Sequence, residues 1–442
     1  MTARTAAVVG AGLAGLTAAH RLSCAGWAVQ VFESEPELGG RTMTIRRDGF
    51  LIDSAASVVA TTYSSYNALV RDVDLAQSLV RTAPGVGVFR DGKIHVLRTD
   101  RPIRSLLGSR VISSAAKARA IRLGADVLRA KVRGQLDYTD MRKSAPLDTE
   151  DARAYARRVL NDELEQYVCG PIVRSMLIAD PHAVSKVELF SGLANIFSGD
   201  LAVLRGGAAS LPRALAGRLD VTLGSPVTRV AARADHVELE ALTPDGLPRR
   251  ESYDAAVIAT PLPTATRINP EHSAIASLAQ RLGYTQAITV AVATRRRPTC
   301  DALLVQLPAC EDAEIAMVFL DHNKCADRAP AGSGLFSAHW EASASETAMD
   351  WPDEKIVERT LDTIDRVFPG LEDAVEFAHV TRWSHALPLT KAGAYRSIAE
   401  CTAALDPRHR IQYAGDYLSC AGQNTAVEFG TRAADNLLWA MP

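Results

Sequence analysis

Apolar and polar positions along this chain follow two periods, and the first thirty residues show both. Residues 5–9 (TAAVV) are a short, nearly unbroken apolar run, the pattern of a strand covered on both faces. From 13 to 25 the apolar positions recur at helical spacing, and Gly26 stands where a helix would close. Residues 27–33 (WAVQVFE) read again as a strand, so the chain opens with a βαβ unit. Residues 100–175 are helical in pattern, rich in Ala, Leu and Arg and poor in turn residues. Stretch 219–242 alternates like strands joined by turns, and 254–261 (DAAVIATP) is a short buried strand stopped by proline. Further sheet is expected within 284–340, a helix at 353–368, a strand at 409–414 and a last helix at 425–440. No repeat or low-complexity segment interrupts this order.

The loop of the opening unit reads "GAGLAG", a GxGxxG with glycines at 10, 12 and 15. The first glycine permits a tight turn, the second a close approach of backbone to a pyrophosphate, and the third close packing of helix on strand. The helix that follows adds partial positive charge at its N-terminus. Glu33, at the end of the next strand, stands where a carboxylate accepts both ribose hydroxyls of an adenosine. The alternative is a strand-end Glu facing solvent. Six residues on come Gly39, Gly40 and Arg41, backbone flexible enough to lie against a ligand and a side chain able to fork onto phosphate oxygens.

Composition narrows the setting. At 442 residues the chain has room for two or three domains. Its 47% hydrophobic and 23% charged residues are ordinary globular values. A net charge of −2 speaks against a nucleic-acid binder. Seven scattered cysteines without a CxxC favour reduced thiols and a cytoplasmic protein over a disulfide framework. No metal-ligand spacing occurs among cysteines or the ten histidines, so no metal is expected. The apolar start is broken by three glycines and does not read as a signal peptide, and no apolar run is long enough to span a bilayer.

With the glycine loop, the Glu and the GGR in this order, the chain resembles the superfamily of flavin-containing amine oxidases and protoporphyrinogen oxidases. "LIDSAAS" (51–57) resembles the family's segment beside the flavin ring, though the family has glycine where this chain has Ala55 or Ala56. "RGGAASLPRAL" (205–215) resembles its GG-x-x-x-LP element, and "SPVTRV" (225–230) its adenine-contacting strand. "YAGDYLSCAGQNTAVEFGTRAADNL" (413–437) resembles its C-terminal FAD signature. The resemblance implies an α/β Rossmann-like FAD-binding domain of the GR2 type, with an interleaved α+β substrate-binding domain. It sets the first at 1–85, 200–265 and 405–442, and the second at 86–199 and 266–404. The FAD-binding residues it implies are Gly10, Gly12, Leu13, Ala14, Gly15, Glu33, Gly39, Gly40, Arg41, Ala56, Ser57, Val227, Gly415, Asp416, Ala426 and Val427, the last two opening a helix aimed at the flavin. Ala394 falls where covalent family members carry a flavin-linked cysteine, so the FAD is expected to be non-covalent.

The implied chemistry is two-electron oxidation of a C–N or ring C–C bond in a small molecule by hydride transfer to flavin N5, with oxygen or another acceptor taking the electrons on. Two alternatives stay open at the level of sequence: a polyene desaturase or isomerase of the same superfamily, and an FAD-bound scaffold without turnover. Tyr395 matches one wall of the amine oxidases' aromatic cage, against packing in the core as the plainer reading, and the opposite wall falls at Gly422. Arg267 stands where those enzymes have a lysine near N5, or lies simply at the surface; arginine there would be fixed charge and not a base. Residues 101–133 hold nine Arg or Lys and one Asp, a local charge of +8. Ile121, Ala125, Leu128 and Val132 would share one helical face there. That segment is either a solvated face of a helix packed on the core, or a docking surface for anionic lipid or an acidic partner at the membrane periphery.

Overall fold

A computed structural model describes residues 3–137, 139–196 and 199–441. Residues 1, 2 and 442 at the ends of the predicted segments, and 138, 197 and 198 within them, lie outside this range.

The opening unit forms β1 (Thr5–Val9), α1 (Leu13–Cys24) and β2 (Ala28–Phe32). β1 and β2 enter a five-stranded parallel sheet, in the order Asp220–Thr222, β2, β1, Ala255–Ile258, Ile411–Tyr413. Three well-separated stretches of chain therefore supply one sheet. Ala6, Ala7 and Val8 are fully buried, as a strand sandwiched between layers must be. The C-terminal helix Gln423–Ala440 packs across α1 with almost no gap. A Cβ on Gly430 would come 2.3 Å from the Ala14 carbonyl oxygen, so glycine is required at the crossing. An antiparallel three-stranded sheet, Val227–Ala232, Val237–Leu242 and Pro248–Tyr253, is inserted between two strands of the parallel sheet.

A second, seven-stranded sheet runs in the order Val375–Trp383, Ala287–Thr294, Gly334–Trp340, Ile315–Leu320, Ala302–Gln306, Gly85–Arg90, Lys93–Arg98. All its pairings are antiparallel except that between Ala302–Gln306 and Gly85–Arg90. Strand period 2 divides its residues between two surroundings. Ile288, Val290, Val305, Val318, Ala338 and Trp340 enter a core that includes Ile356 and Ile364 of the helix Asp353–Val367. Their neighbours Thr289, Leu304, Phe319 and His339 line a cavity. Part of the far wall comes from the helices Gly170–Leu177 and Lys186–Ile196. Two further helices, α2 (Pro102–Gly108) and α3 (Ser114–Val132), follow the edge strand Lys93–Arg98. Among the described residues no helix is long and apolar enough to cross a membrane, and no group of three His, Cys, Asp or Glu is set to hold a metal ion.

Candidate functional site

The turn from β1 into α1 is built from glycines that do different work. Gly10 has φ +104°, and a Cβ there would lie 2.9 Å from the Ala259 carbonyl oxygen. A Cβ on Gly15 would sit 2.0 Å from the Gly10 carbonyl oxygen, so the third glycine lets the helix close onto the turn. Gly12 is different: its φ is an unstrained −75°, and a Cβ there would meet no protein atom within 4 Å. Nothing in the fold demands glycine at that point, which is what a surface approached by a ligand requires. The first-turn amides of α1, those of Leu13, Ala14 and Gly15, have no carbonyl four residues back within the helix and carry its positive end.

Glu33 closes the same turn from the end of β2. Its Oε2 accepts from the Ala11 N–H at 2.7 Å, and its Oε1 from the Glu35 N–H at 3.1 Å and the Ser34 hydroxyl at 3.2 Å. The carboxylate is buried and does not face open solvent. The Ser225 N–H donates to the Glu33 carbonyl at 2.7 Å, which brings the strand beginning at Val227 beside it. Gly39 (φ +106°) bridges to Gly12, and a Cβ on Gly40 would come 3.6 Å from the Gly12 Cα. The two glycine elements, 27 residues apart in sequence, thus share one rim.

Arg41 departs from its expected role. Its guanidinium forks onto Asp416, Nη1 to Oδ2 at 3.0 Å and Nη2 to Oδ1 at 3.1 Å, and Nη1 also donates to the Ala386 carbonyl at 2.8 Å. Burial opposes its charge, but the Asp416 carboxylate outweighs it and holds the guanidinium's pKa up. The two residues read separately from sequence are one bidentate pair, joining the GGR turn to the segment after Gly415. The C-terminal helix also differs, because it begins at Gln423. Ala426 donates its N–H to the Gly422 carbonyl at 3.0 Å, and Ala426 and Val427 lie within the helix. The amides at the open end belong to Gln423, Asn424 and Thr425. Gly422 and Gln423 line the cavity, so the helix start does reach it.

That cavity has a volume of about 440 Å³, within the range of ligand pockets. Ala55, Ala56 and Ser57 line it on the side of the parallel sheet, with Arg41, Tyr63 and Trp383. Phe319, Met317, Leu304, Thr289 and His339 line it from the seven-stranded sheet. Two charged residues, Arg41 and Arg98, are among its described lining residues, and no Asp or Glu is. Beneath Ser57 lies a buried network that sequence reasoning missed. The Lys324 ammonium donates to the Ser57 hydroxyl at 2.8 Å and pairs with Asp321 at 2.5 Å, while the Ser337 hydroxyl donates to the other Asp321 oxygen at 2.6 Å. Burial, with the nearby Lys324 charge, pushes the His339 imidazole down to about 4, so the cavity presents it neutral at physiological pH. No motif marks these residues; only the meeting of the strand ends brings them together.

Two expected residues are not in the cavity. Tyr395 is fully buried in the core cluster with Ile268, Ile398 and Leu418, and its hydroxyl donates to Glu188 at 2.5 Å. It is a packing residue, because the chain turns into the helix Ala394–Ala404 one residue before it and carries the ring inward. Arg267 is exposed in the last turn of the short helix Leu262–Ile268. Aromatic walls come instead from Trp383, whose indole N–H donates to the Ser54 carbonyl at 3.1 Å, and from Phe319, Tyr63 and Tyr167.

With this geometry in view, the flavin-containing amine oxidoreductase family matches residues 13–438. The chain belongs to that family. It is a flavin-dependent oxidoreductase. The chain is 25% identical to coproporphyrinogen III oxidase of Mycobacterium tuberculosis (strain CDC 1551 / Oshkosh) over 479 aligned positions, covering 100% of this chain and 99% of that protein. It is 24% identical over 328 positions to protoporphyrinogen oxidase 2, chloroplastic/mitochondrial, of Arabidopsis thaliana. That match takes in 72% of this chain and 60% of the plant protein, less than two thirds of its length. A solved structure of putrescine oxidase superposes with a TM-score of 0.80 at 19% identity, covering 99% of each chain. The fold of this flavin oxidoreductase is therefore the family's.

Proposed function

We propose that this enzyme holds FAD without a covalent bond and oxidises an apolar, carboxylate-bearing small molecule in the cavity. The adenosine end lies between Glu33, Val227 and the glycine turn, and the pyrophosphate lies over Gly12 at the start of α1, with Leu13, Ala14 and Gly15 donating. Gly39 and Gly40 form the opposite rim. The Arg41–Asp416 pair fixes the segment that carries Gly415, and Ala56 and Ser57 flank the ring. The open space above Gly12, beside the rim formed by Gly39 and Gly40, supports this placing. Ala394 offers no thiol, which supports a dissociable cofactor. The FAD-binding part comprises 1–85, 200–265 and 405–442, the substrate part 86–199 and 266–404, a division supported by the separate origins of the two sheets.

Bound flavin supplies a two-electron acceptor for hydride from a substrate carbon, which oxygen or another acceptor then reoxidises. The chain's own residues do the rest. The amides of Gln423–Thr425 present the positive end of a helix to the cavity and favour negative charge there. Leu304, Met317, Phe319 and Trp383 exclude water around the reacting carbon. The neutral His339 imidazole can accept a hydrogen bond from a substrate N–H.

The observation that carries the substrate class is the lining itself: no Asp or Glu is among its described residues, and its two arginines, Arg41 and Arg98, are paired with Asp416 and Asp100. An ammonium finds no counterion there, whereas an apolar ring matches the lining and a carboxylate at its edge can share the half-exposed Arg98 guanidinium with Asp100. This favours a porphyrinogen-like ring over a diamine, and the full-length likeness to a coproporphyrinogen oxidase supports the same choice. A peripheral contact through residues 101–133 belongs to this reading as well. The test is anaerobic bleaching of the flavin absorbance by a panel of porphyrinogens, amines and amino acids. Bleaching by carboxylated porphyrinogens alone is expected. Rapid bleaching by a simple amine, with none by porphyrinogens, would overturn the substrate class.

A further inference from the structure

The seven-stranded sheet turns one face to the cavity, and the register of its strands sorts that face into two rungs. Val86 pairs with Leu304 and Leu304 with Phe319, an apolar rung across three strands. Two residues further along the strands, Gln306 pairs with Met317, Met317 with His339, and His339 with Thr289. Both rungs line the cavity, but only the second carries polar side chains. Neighbouring strands lie about 4.8 Å apart, so Gln306 and His339, with Met317 between them, stand about 10 Å apart.

The hydrogen bonds already made by this rung decide what it can hold. Gln306 Nε2 donates to the Pro171 carbonyl at 3.2 Å and to the Ser175 hydroxyl at 2.8 Å. Ser175 spends its own hydrogen on the Ile172 carbonyl at 3.1 Å. A carbonyl oxygen only accepts, so the Gln306 amide is fixed with its NH2 toward Pro171, and both its hydrogens are used. Its Oε1 is left as an acceptor without a partner among the described residues. His339 Nδ1 lies 3.4 Å from the Thr289 hydroxyl, and donation of the Nδ1 hydrogen there leaves Nε2 as a second acceptor. The rung thus offers acceptors without charge. A carboxylate would be repelled by Oε1, whereas a neutral N–H group supplies what the rung lacks.

We propose that Gln306, His339 and Thr289 read the N–H groups of the substrate, which lies on Met317 with its N–H edge on this rung and its carboxylate edge toward Arg98. Arg98 pairs with Gly85, beyond the apolar rung, so the two ends of the wall make different demands on one ligand. This placement rests on the proposed function, because it takes the cavity as the substrate site. It adds a specificity: a ring of the same charge whose nitrogens carry methyl groups is rejected, since the buried acceptors then lose their donors.

The test is calorimetric titration of the protein as isolated, reduced with dithionite so that no ligand is oxidised. The ligands are a dipyrromethane dicarboxylate and its N,N′-dimethyl analogue. The wild type is expected to bind the N–H ligand roughly tenfold or more tightly than the methylated one. Gln306→Leu and His339→Phe should each shrink that ratio, with the loss falling on the N–H ligand. A variant merely loosened in structure would lose both ligands alike. Gln306→Leu also strips the Pro171 carbonyl of its donor; should it prove unstable, His339→Phe must show the smaller ratio by itself. A methylated ligand bound as tightly as the other by the wild type would overturn the inference and leave the substrate class standing, as would a ratio that neither variant changes. Binding of neither ligand would overturn the substrate class, and this inference with it.

Discussion

Substituting Gly12 by alanine should have opposite effects on the protein without and with its cofactor. At φ −75° alanine is unstrained, and its Cβ meets no protein atom within 4 Å. The protein without flavin should therefore gain about 0.4–1 kcal/mol from the lower entropy of the unfolded chain. If the pyrophosphate crosses this point, the same methyl occupies ligand space. A well-packed contact overfilled by one carbon costs about 1–3 kcal/mol, or roughly a five- to 150-fold loss of FAD affinity. Gly15→Ala is the control, because its Cβ would lie 2.0 Å from the Gly10 carbonyl oxygen and the turn itself must move. That variant should lose stability with or without flavin. The assay pairs thermal melting of protein stripped of flavin with an FAD titration followed by flavin fluorescence. A Gly12→Ala protein with unchanged FAD affinity would refute the placing of the pyrophosphate.

Glu33→Gln turns an amide NH2 toward the N–H of either Ala11 or Glu35, and also removes the charge offered to the ribose. Losing a charge-assisted hydrogen bond should cost about 1.5–3 kcal/mol, or roughly ten- to a hundredfold in FAD affinity, and an unchanged titration would place the ribose elsewhere. Arg41→Lys cannot reproduce the fork on Asp416 together with the bond to Ala386, so FAD retention on gel filtration should fall, and full retention would show that the pair does not shape the site. Tyr395→Phe should lower the melting temperature through the lost bond to Glu188, about 1–3 kcal/mol, and leave the bleaching rate of the surviving holoenzyme unchanged. A slowed rate at normal stability would return Tyr395 to the substrate side. Burial raises the pKa of Glu188, so its neutral form is favoured in the fold, and its stabilising contribution is full below the unfolded-state value and lost as pH rises through the folded one. Glu188→Gln should accordingly flatten the decline of melting temperature toward alkaline pH, and an unaltered slope would show that Glu188 titrates normally.

The parts of the site that sequence made legible are those written in local pattern. The βαβ unit, the three glycines and Glu33 lie within one supersecondary element, where residue type and turn geometry are tied directly. The starts of helices were harder to read. The last helix begins at Gln423 and not near 425, because Gly422 supplies an extended break that periodicity cannot register. Residues joined only through tertiary structure were not legible. Arg41 and Asp416 are 375 positions apart, and their pairing depends on the closing of the parallel sheet by its last strand. Lys324 and Ser57 meet only because a strand end of the second sheet reaches the cavity. The segment 101–133 could be read for charge and period, but which of its two apolar stripes would be buried depended on the neighbours it packs against.

Acid precipitation of the purified protein, with chromatography of the supernatant and the pellet, tests most directly whether the glycine-lined cleft holds a dissociable dinucleotide. The prediction is a yellow protein that releases close to one equivalent of flavin into the supernatant, all of it FAD, and leaves a colourless pellet. Flavin retained by the pellet, FMN in place of FAD, or a protein that neither carries nor takes up FAD would contradict it.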